Sequence, residues 1–251
     1  MIEILPIPAF KDNYIWLISD GRHAAVVDPG DAAPVMRTLE QAGLVLDAIL
    51  ITHHCHDHIG GIVPLMRQYA PKVYAPAKEF YDFPHISVSE GSRVTLEHLN
   101  LVFSVIETPG HTLGHVAYYS DPLLFCGDTL FSCGCGRLHE GTPEQMHDSL
   151  QKLAQLPAAT RIYCAHEYTQ SNLAFALEVD PDNAALHRRR QEVTQLRTKG
   201  LPSLPTTMAL ELATNPFLRC DSSAIKQSMG IDASTSPKEV FRLLREMKNK
   251  Y

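Results

Sequence analysis

The sequence lacks any apolar run long enough to span a bilayer, and it lacks an excess of basic charge. Its formal net charge is −6, which gives no electrostatic reason to expect nucleic acid or an anionic membrane as a partner. Internal repeats and low-complexity tracts are also missing. These absences favour a small-molecule partner, and we expect neither nucleic-acid nor membrane binding. We also expect a monomer.

Features of a secreted protein are missing as well. The first ten residues, MIEILPIPAF, carry an acidic residue and two prolines where a signal peptide would carry basic residues and an uninterrupted apolar run. The six cysteines do not have the density of a disulfide framework for a chain of this size. We therefore expect free thiols and a cytoplasmic protein.

The composition and the pattern of predicted elements indicate an α/β fold. Apolar content of 45% and charged content of 20% are ordinary for a globular protein, and 251 residues can bury a sizeable core. Up to residue 172, short apolar strands such as 48–52 and 101–106 alternate with helices, one of which begins after Asp31 and ends at Gly43. Beyond that point we predict helices and no strand, with a loop rich in proline and threonine at 200–216. The predicted domains are therefore 1–172, catalytic, and 173–251, helical and substrate-binding.

The segment ITHHCHDHIGG at 51–61 places several imidazoles beside a carboxylate and a thiol, directly after a predicted buried strand. A buried imidazole needs partners for its ring nitrogens. Further side chains of the same kind follow other buried strands, at the end where α/β proteins place their chemistry. This set, His53, His58, His111, Asp128 and His166, predicts a metal site that suits zinc, iron or manganese.

The number of candidate ligands predicts two ions. With Cys55 and Asp57 included, seven side chains exceed what one tetrahedral ion accepts, and Asp128 is a carboxylate that can bridge. Two neighbouring ions hold hydroxide at neutral pH and polarise a carbonyl, which is the equipment of a hydrolase. We expect His54 and His56 to support the site by packing, and Asp28 to hydrogen-bond a turn.

Several segments resemble one family in order and spacing. THHCHDH is similar to the T-H-x-H-x-D-H signature of the metallo-β-lactamase superfamily. The remaining segments narrow the resemblance to the hydroxyacylglutathione hydrolase (glyoxalase II) family; they are IPAFKDNYIWLI, VVDPGD, TPGHTLGH, FCGDTLF, GCGRLHEGT, AHEYT and NPFLR. The resemblance implies a four-layer αββα sandwich followed by a small α-helical domain. It also implies hydrolysis of S-2-hydroxyacyl-glutathione, chiefly S-D-lactoylglutathione, to glutathione and D-lactate, the second step of methylglyoxal detoxification.

The same resemblance implies roles for individual residues. One metal would be bound by His53, Cys55 and His111, and the other by Asp57, His58 and His166, with Asp128 bridging them. Asp57 and Asp128 would be the catalytic residues, and two zinc ions are the expected cofactors, with iron or manganese as alternatives. The glutathione would lie between the two domains, bound by Arg137, His139, Tyr168, Arg245 and Lys248.

The chain departs from the family pattern at Cys55, where the family has a histidine ligand. A thiolate is a sound zinc ligand, but its charge should make the metal a weaker Lewis acid. Arg137 stands where the family more often has lysine, and His139 where some members have tyrosine. Two other functions stay open: another hydrolase on this fold, acting on a lactone, a phosphodiester or a different thioester, and a metal-binding or redox-sensing protein that has lost turnover through Cys55.

Overall fold

The computed structural model describes all 251 residues, which divide into two units. Unit 1 comprises residues 1–107 and 112–127, and unit 2 comprises residues 108–111 and 128–251. The domain division at residue 172 stays a prediction. None of the helices has the length and apolar character needed to cross a membrane.

Unit 1 contains a six-stranded sheet in which the strands lie in chain order. The first three strands pair antiparallel and the rest parallel; they are β1 (Glu3–Ala9), β2 (Asn13–Ser19), β3 (His23–Val27), β4 (Val45–Leu50), β5 (Lys72–Pro76) and β6 (Ile86–Val88). Three helices follow β3 and β4; they are α1 (Ala32–Ala42), α2 (His56–Ile59) and α3 (Ile62–Tyr69). Val35 and Leu39 of α1 and Leu65 of α3 are fully buried in the core that these helices share with the sheet.

A second sheet of unit 1 is an antiparallel meander in the order β10-β9-β8-β7. Its strands are β7 (Arg93–Leu96), β8 (Leu101–Glu107), β9 (Val116–Ser120) and β10 (Leu123–Phe125). The hydroxyl of Tyr118 in β9 donates a hydrogen bond to the carbonyl of Ile51 at 2.8 Å. Because Tyr118 is fully buried, its pKa is raised well above the usual value. The hydroxyl therefore keeps the proton that it donates to Ile51, the residue that follows β4 of the first sheet.

The residues that the sequence marks as the two ends of a helix, Asp31 and Gly43, are the caps of α1. The Asp31 carboxylate accepts from the Ala33 amide at 2.9 Å, and Gly43 adopts a left-handed conformation with φ 63°, so both ends of the predicted helix are confirmed. The strand predicted at 48–52 is found as β4, which begins and ends earlier.

Unit 2 contains mainly helices. Its elements are β11 (Leu130–Phe131), β12 (Gly134–Cys135), α4 (Pro143–Ala154), β13 (Arg161–Tyr163), α5 (Thr169–Val179), α6 (Ala184–Thr198), β14 (Thr206–Thr207), α7 (Met208–Thr214), a 3₁₀ turn (Pro216–Leu218), α8 (Ser223–Ser228) and α9 (Pro237–Lys250). β11 pairs antiparallel with β12, and β13 with β14.

The prediction of a strand-free loop at 200–216 is wrong, because this stretch contains β14 and α7. The two residues of β14 are too few to show a period, and they pair with Arg161 and Ile162 far away in the chain. The Thr207 side chain then caps α7 by accepting from the Leu210 amide. Thr206 donates to the buried carboxylate of Glu211 at 2.7 Å, which anchors the turn.

Candidate metal centre and adjoining cavity

His53 follows β4 and is fully buried. Its Nδ1 lies 3.0 Å from the hydroxyl of Thr52, and that hydroxyl donates its only proton to the carboxylate of Asp28 at 2.7 Å. Nδ1 of His53 must therefore be the donor to Thr52. The lone pair is left on Nε2, as a metal ligand requires.

His58, in α2, is oriented in the same way. Its Nδ1 lies 3.1 Å from Oδ2 of Asp28, and since an ionised carboxylate only accepts, the lone pair is again on Nε2. This Nε2 lies 3.4 Å from Oδ2 of Asp57. Two ligand atoms on one tetrahedral zinc ion are about 3.3 Å apart, so the pair fits a common ion.

Asp28 therefore orients two candidate ligands, one directly and one through Thr52. It also accepts from the Thr52 amide at 2.8 Å and is only 4% exposed. Its φ of 53° is in the left-handed region, which aspartate tolerates better than most residues. Instead of hydrogen-bonding a turn, as expected, the side chain of Asp28 contacts Thr52 and His58, which lie 24 and 30 residues further along the chain.

Cys55 and Asp57 complete the unit 1 set. The Cys55 Sγ and a ring nitrogen of His53 lie within 4.8 Å of each other. Asp57 is held by Asn13, whose amide donates to Oδ2 at 2.9 Å, and its backbone in α2 is approached closely by Gly30. A Cβ at Gly30 would lie 1.8 Å from the carbonyl oxygen of Asp57, so only glycine fits there. Sequence reasoning gave neither Asn13 nor Gly30 a role, although both lie in segments that carry the family resemblance.

Two further histidines of unit 1 support this set. His54 lies 3.3 Å from the carboxylate of Glu79, which also accepts from the hydroxyls of Tyr81 and Thr112. His115, which sequence reasoning missed, is fully buried and stacks on the ring of His53 with 4.7 Å between centroids. The contacts of His54 and His115 are those of supporting residues. His56 is exposed, so the expectation that it supports the site by packing is wrong.

In unit 2, the carboxylate of Asp128 faces two imidazoles. Oδ2 lies 3.6 Å from Nε2 of His111, and Oδ1 lies 3.4 Å from Nε2 of His166. Nδ1 of His111 donates to the carbonyl of Arg137 at 2.8 Å, so its lone pair is on the side of Asp128. Both separations are close to the distance between two ligands of one zinc ion. A carboxylate with a different imidazole at each oxygen has the arrangement of a ligand that bridges two ions.

Aromatic rings hold both of these histidines in place. Tyr168 stacks on His166 with the rings 4.7 Å apart and nearly parallel, and Phe131 packs edge-on against both. His139 lies edge-on to His111 at 4.7 Å.

The Asp128 carboxylate opens onto a cavity of about 410 Å³ within unit 2. All five residues predicted to bind substrate line this cavity together with Asp128 and His111; they are Arg137, His139, Tyr168, Arg245 and Lys248. Ser171, Asn172 and Tyr251, to which sequence reasoning gave no role, also line it. No local pattern marks these three, because helices and loops distant in sequence bring them to the cavity.

Two of the cations on the last helix differ in environment. Arg245 is 3% exposed, and its Nη1 donates to the carbonyls of Cys135 at 3.0 Å and Gly136 at 3.4 Å. It therefore braces the loop that carries Arg137. Lys248 is half-buried, and desolvation, aided by the charges of Arg245 and Arg137, lowers its pKa to about 8.

The chain is similar to known proteins over its full length. Residues 10–166 match the model of the metallo-beta-lactamase superfamily, and residues 167–251 match that of the hydroxyacylglutathione hydrolase C-terminus. The hydroxyacylglutathione hydrolase of Methylobacillus flagellatus is 56% identical over 251 residues, which cover 100% of both chains.

Solved structures agree with this fold. ETHE1 from Myxococcus xanthus has a TM-score of 0.69 at 26% identity and is matched over 98% of this chain and 90% of its own. TTHA1623, crystallised in a di-iron-bound form, has a TM-score of 0.63 at 25% identity, over 86% of this chain and 100% of its own. The predicted fold class is confirmed, and the donor set is that of a divalent metal centre. The chain therefore belongs to the hydroxyacylglutathione hydrolase family of the metallo-β-lactamase superfamily.

Proposed function

We propose that the protein hydrolyses the thioester of S-2-hydroxyacyl-glutathione, chiefly S-D-lactoylglutathione, to glutathione and D-lactate. One observation carries this proposal: the Asp128 carboxylate, with an imidazole at each oxygen, lies in the wall of a cavity that arginine and lysine side chains line. Membership of the family supports the same reaction.

The proposed cofactors are two zinc ions. His53, Cys55 and His111 would bind one ion, Asp57, His58 and His166 the other, and Asp128 both. The lone pairs on Nε2 of His53, His58 and His111 support this assignment, as do the separations between Asp57 and His58 and around Asp128. The soft sulfur of Cys55 favours zinc over manganese. When bound, such ions activate water at neutral pH and polarise the thioester carbonyl.

The chain's own side chains would position the substrate. Glutathione carries carboxylates, which Arg137 can bind bidentately and Lys248 as a point charge. Tyr168 and His139 pack on His166 and His111, which are proposed metal ligands. A substrate that contacts Tyr168 and His139 would therefore have its thioester carbonyl close to the proposed metal centre. Asp57 is fixed by Asn13 and can orient the attacking water. The glutathione thiolate is a good leaving group and needs little acid assistance.

The remaining expectations concern the state of the protein. Six free cysteines support a reducing compartment, and we propose the cytoplasm. A monomer stays a prediction, which light scattering coupled to size-exclusion chromatography tests.

A substrate panel tests the function. Zinc-loaded protein is assayed with S-D-lactoylglutathione, a thioester without glutathione, a lactone and a phosphodiester. We expect the glutathione thioester to be cleaved fastest, and its KM to rise at least about tenfold in Lys248→Ala, since a charge-assisted hydrogen bond contributes about 1.5–3 kcal/mol. Lys250→Ala, an exposed lysine on the same helix, is the matched control.

Two results would contradict the proposal. Faster cleavage of the lactone or the phosphodiester would make the protein a different hydrolase of this fold. The absence of any turnover in protein that carries its full complement of zinc would support a metal-binding or redox-sensing protein instead.

A further inference from the structure

Unit 1 contains a second group of metal-ligand side chains, remote from the centre described above. His23 begins β3, Asp47 lies in β4, and His98 lies in the turn between β7 and β8. Nδ1 of His23 is 2.8 Å and Nδ1 of His98 is 3.1 Å from the same oxygen, Oδ2 of Asp47. The two imidazole centroids are 4.2 Å apart. We call these three residues the His23/Asp47/His98 cluster.

A break in the sheet aims the carboxylate at the two imidazoles. Between β3 and β4, Ala24 pairs with Leu46 but Ala25 pairs with Ala48, so Asp47 is an extra residue in the ladder. Such bulges redirect a side chain and are common next to functional sites. A regular pairing would place every side chain of β4 in strict alternation. The bulge therefore gives Asp47 an orientation that the strand alone would not.

From this geometry we propose that the His23/Asp47/His98 cluster binds a divalent transition metal, with Zn²⁺ as the representative ion. The three ligand atoms all lie within 4.8 Å of one another. The two nitrogen–oxygen separations are within about half an ångström of the distance expected between ligands of one tetrahedral ion, about 3.3 Å. Two imidazoles and one carboxylate suit zinc and exclude a preference for calcium or magnesium, which favour oxygen ligands.

The ion would replace the hydrogen bond between His23 and Asp47 and the close contact of His98 with the same carboxylate oxygen. Each neutral imidazole would bind through Nδ1 and carry its proton on Nε2 instead, so no proton is lost from the protein. The His23 and His98 side chains are 20% and 58% exposed, so water can reach the rings. A cavity of about 100 Å³, lined by Asp47 and His98, leaves room for water as the fourth ligand. Lys72 and Glu97 also line it, and their charges cancel.

The position of the cluster separates it from the candidate catalytic centre. His23 begins β3 and precedes Asp28 by five residues, and Asp47 in β4 precedes His53 by six, which corresponds to at most roughly 16–20 Å of extended chain. The cluster thus lies at the opposite end of the same parallel strands. His98 belongs to the meander sheet, so a bound ion would link the two sheets of unit 1 and stabilise them against separation.

The test uses the full-length protein as purified, titrated with Zn²⁺ beyond the content it retains. We expect one additional equivalent to bind with micromolar affinity, and the Nδ1 resonances of His23 and His98 to shift in histidine side-chain ¹⁵N spectra. His98→Ala and Asp47→Asn should each weaken this binding at least about tenfold, in line with the loss of a contact to a metal. His187→Ala, an exposed histidine of unit 2, should bind like the wild type.

Thermal unfolding provides a second readout. The additional Zn²⁺ should raise the Tm of the wild type and of His187→Ala, and leave that of His98→Ala unchanged. The proposal is overturned if no further equivalent binds below millimolar Zn²⁺, or if binding occurs without a shift at Nδ1 of His23 and His98. Equal affinity in His98→Ala and the wild type would also overturn it.

Discussion

Asp28→Asn should remove the hydrogen bonds that orient the candidate ligands His53 and His58. The native carboxylate accepts from the Thr52 amide and hydroxyl and from Nδ1 of His58. Asparagine has one oxygen acceptor, which can keep the Thr52 amide, while its amide group would face the other two. His58 must then accept at Nδ1 and carry its proton on Nε2, the atom needed for metal. Thr52 must also turn its hydroxyl, which removes the constraint on His53.

The size of the effect follows from the dependence of both ligands on this one carboxylate. Removal of a partner that orients a ligand typically costs 10–100-fold in metal affinity or activity, about 1.4–2.7 kcal/mol. Because His53 and His58 are both affected, we expect the upper end of this range. Folding stability should fall by about 1 kcal/mol, since hydrogen bonds to a charged group contribute about 1.5–3 kcal/mol and the neutral hydrogen bonds that replace them about 0.5–1.5 kcal/mol.

The assay measures zinc per chain after dialysis against a graded series of chelator concentrations, together with kcat/KM for the glutathione thioester. Asp82→Asn, an exposed aspartate of the same unit, controls for the change in charge. Circular dichroism establishes that the variant is folded. Zinc retention and kcat/KM equal to those of the wild type in folded Asp28→Asn would refute the reasoning.

Three further predictions address the proposed site. Asp128→Ala should bind fewer than two zinc ions per chain and lose turnover; metal analysis and a thioester assay check this, and wild-type activity would contradict the bridging role. Cys55→His should raise kcat, because a neutral ligand leaves the ion a stronger Lewis acid. If the wild type instead holds one zinc ion per chain and a thiol reagent titrates Cys55 freely, the thiol is not a ligand. KM should rise as pH increases through about 8, because Lys248 loses its charge above its lowered pKa. Lys248→Arg, charged throughout, should abolish that dependence, and an unchanged KM profile in this variant would rule out Lys248 as its source.

Much of the candidate site could be predicted from the sequence because its chemistry resides in residue types placed after strands. His111, Asp128 and His166 are each weak evidence alone, but their common position at strand ends made the set informative. Asn13 could not be found in this way, since its contact with Asp57 joins residues 44 apart. The strand β14 could not be predicted either, because its two residues carry no periodicity and its partner β13 is distant in the sequence. Contacts that depend on tertiary packing leave no local pattern.

Because Gly30 packs so closely against Asp57, any side chain at position 30 should disturb the candidate metal centre. Even alanine there would push the segment bearing Asp57 aside, although every candidate ligand would be unchanged. In a survey of inactive variants, substitutions at this position should therefore be inspected as closely as those of the histidines. A homologue with a bulkier residue at position 30 would need a different backbone path at the segment that corresponds to α2.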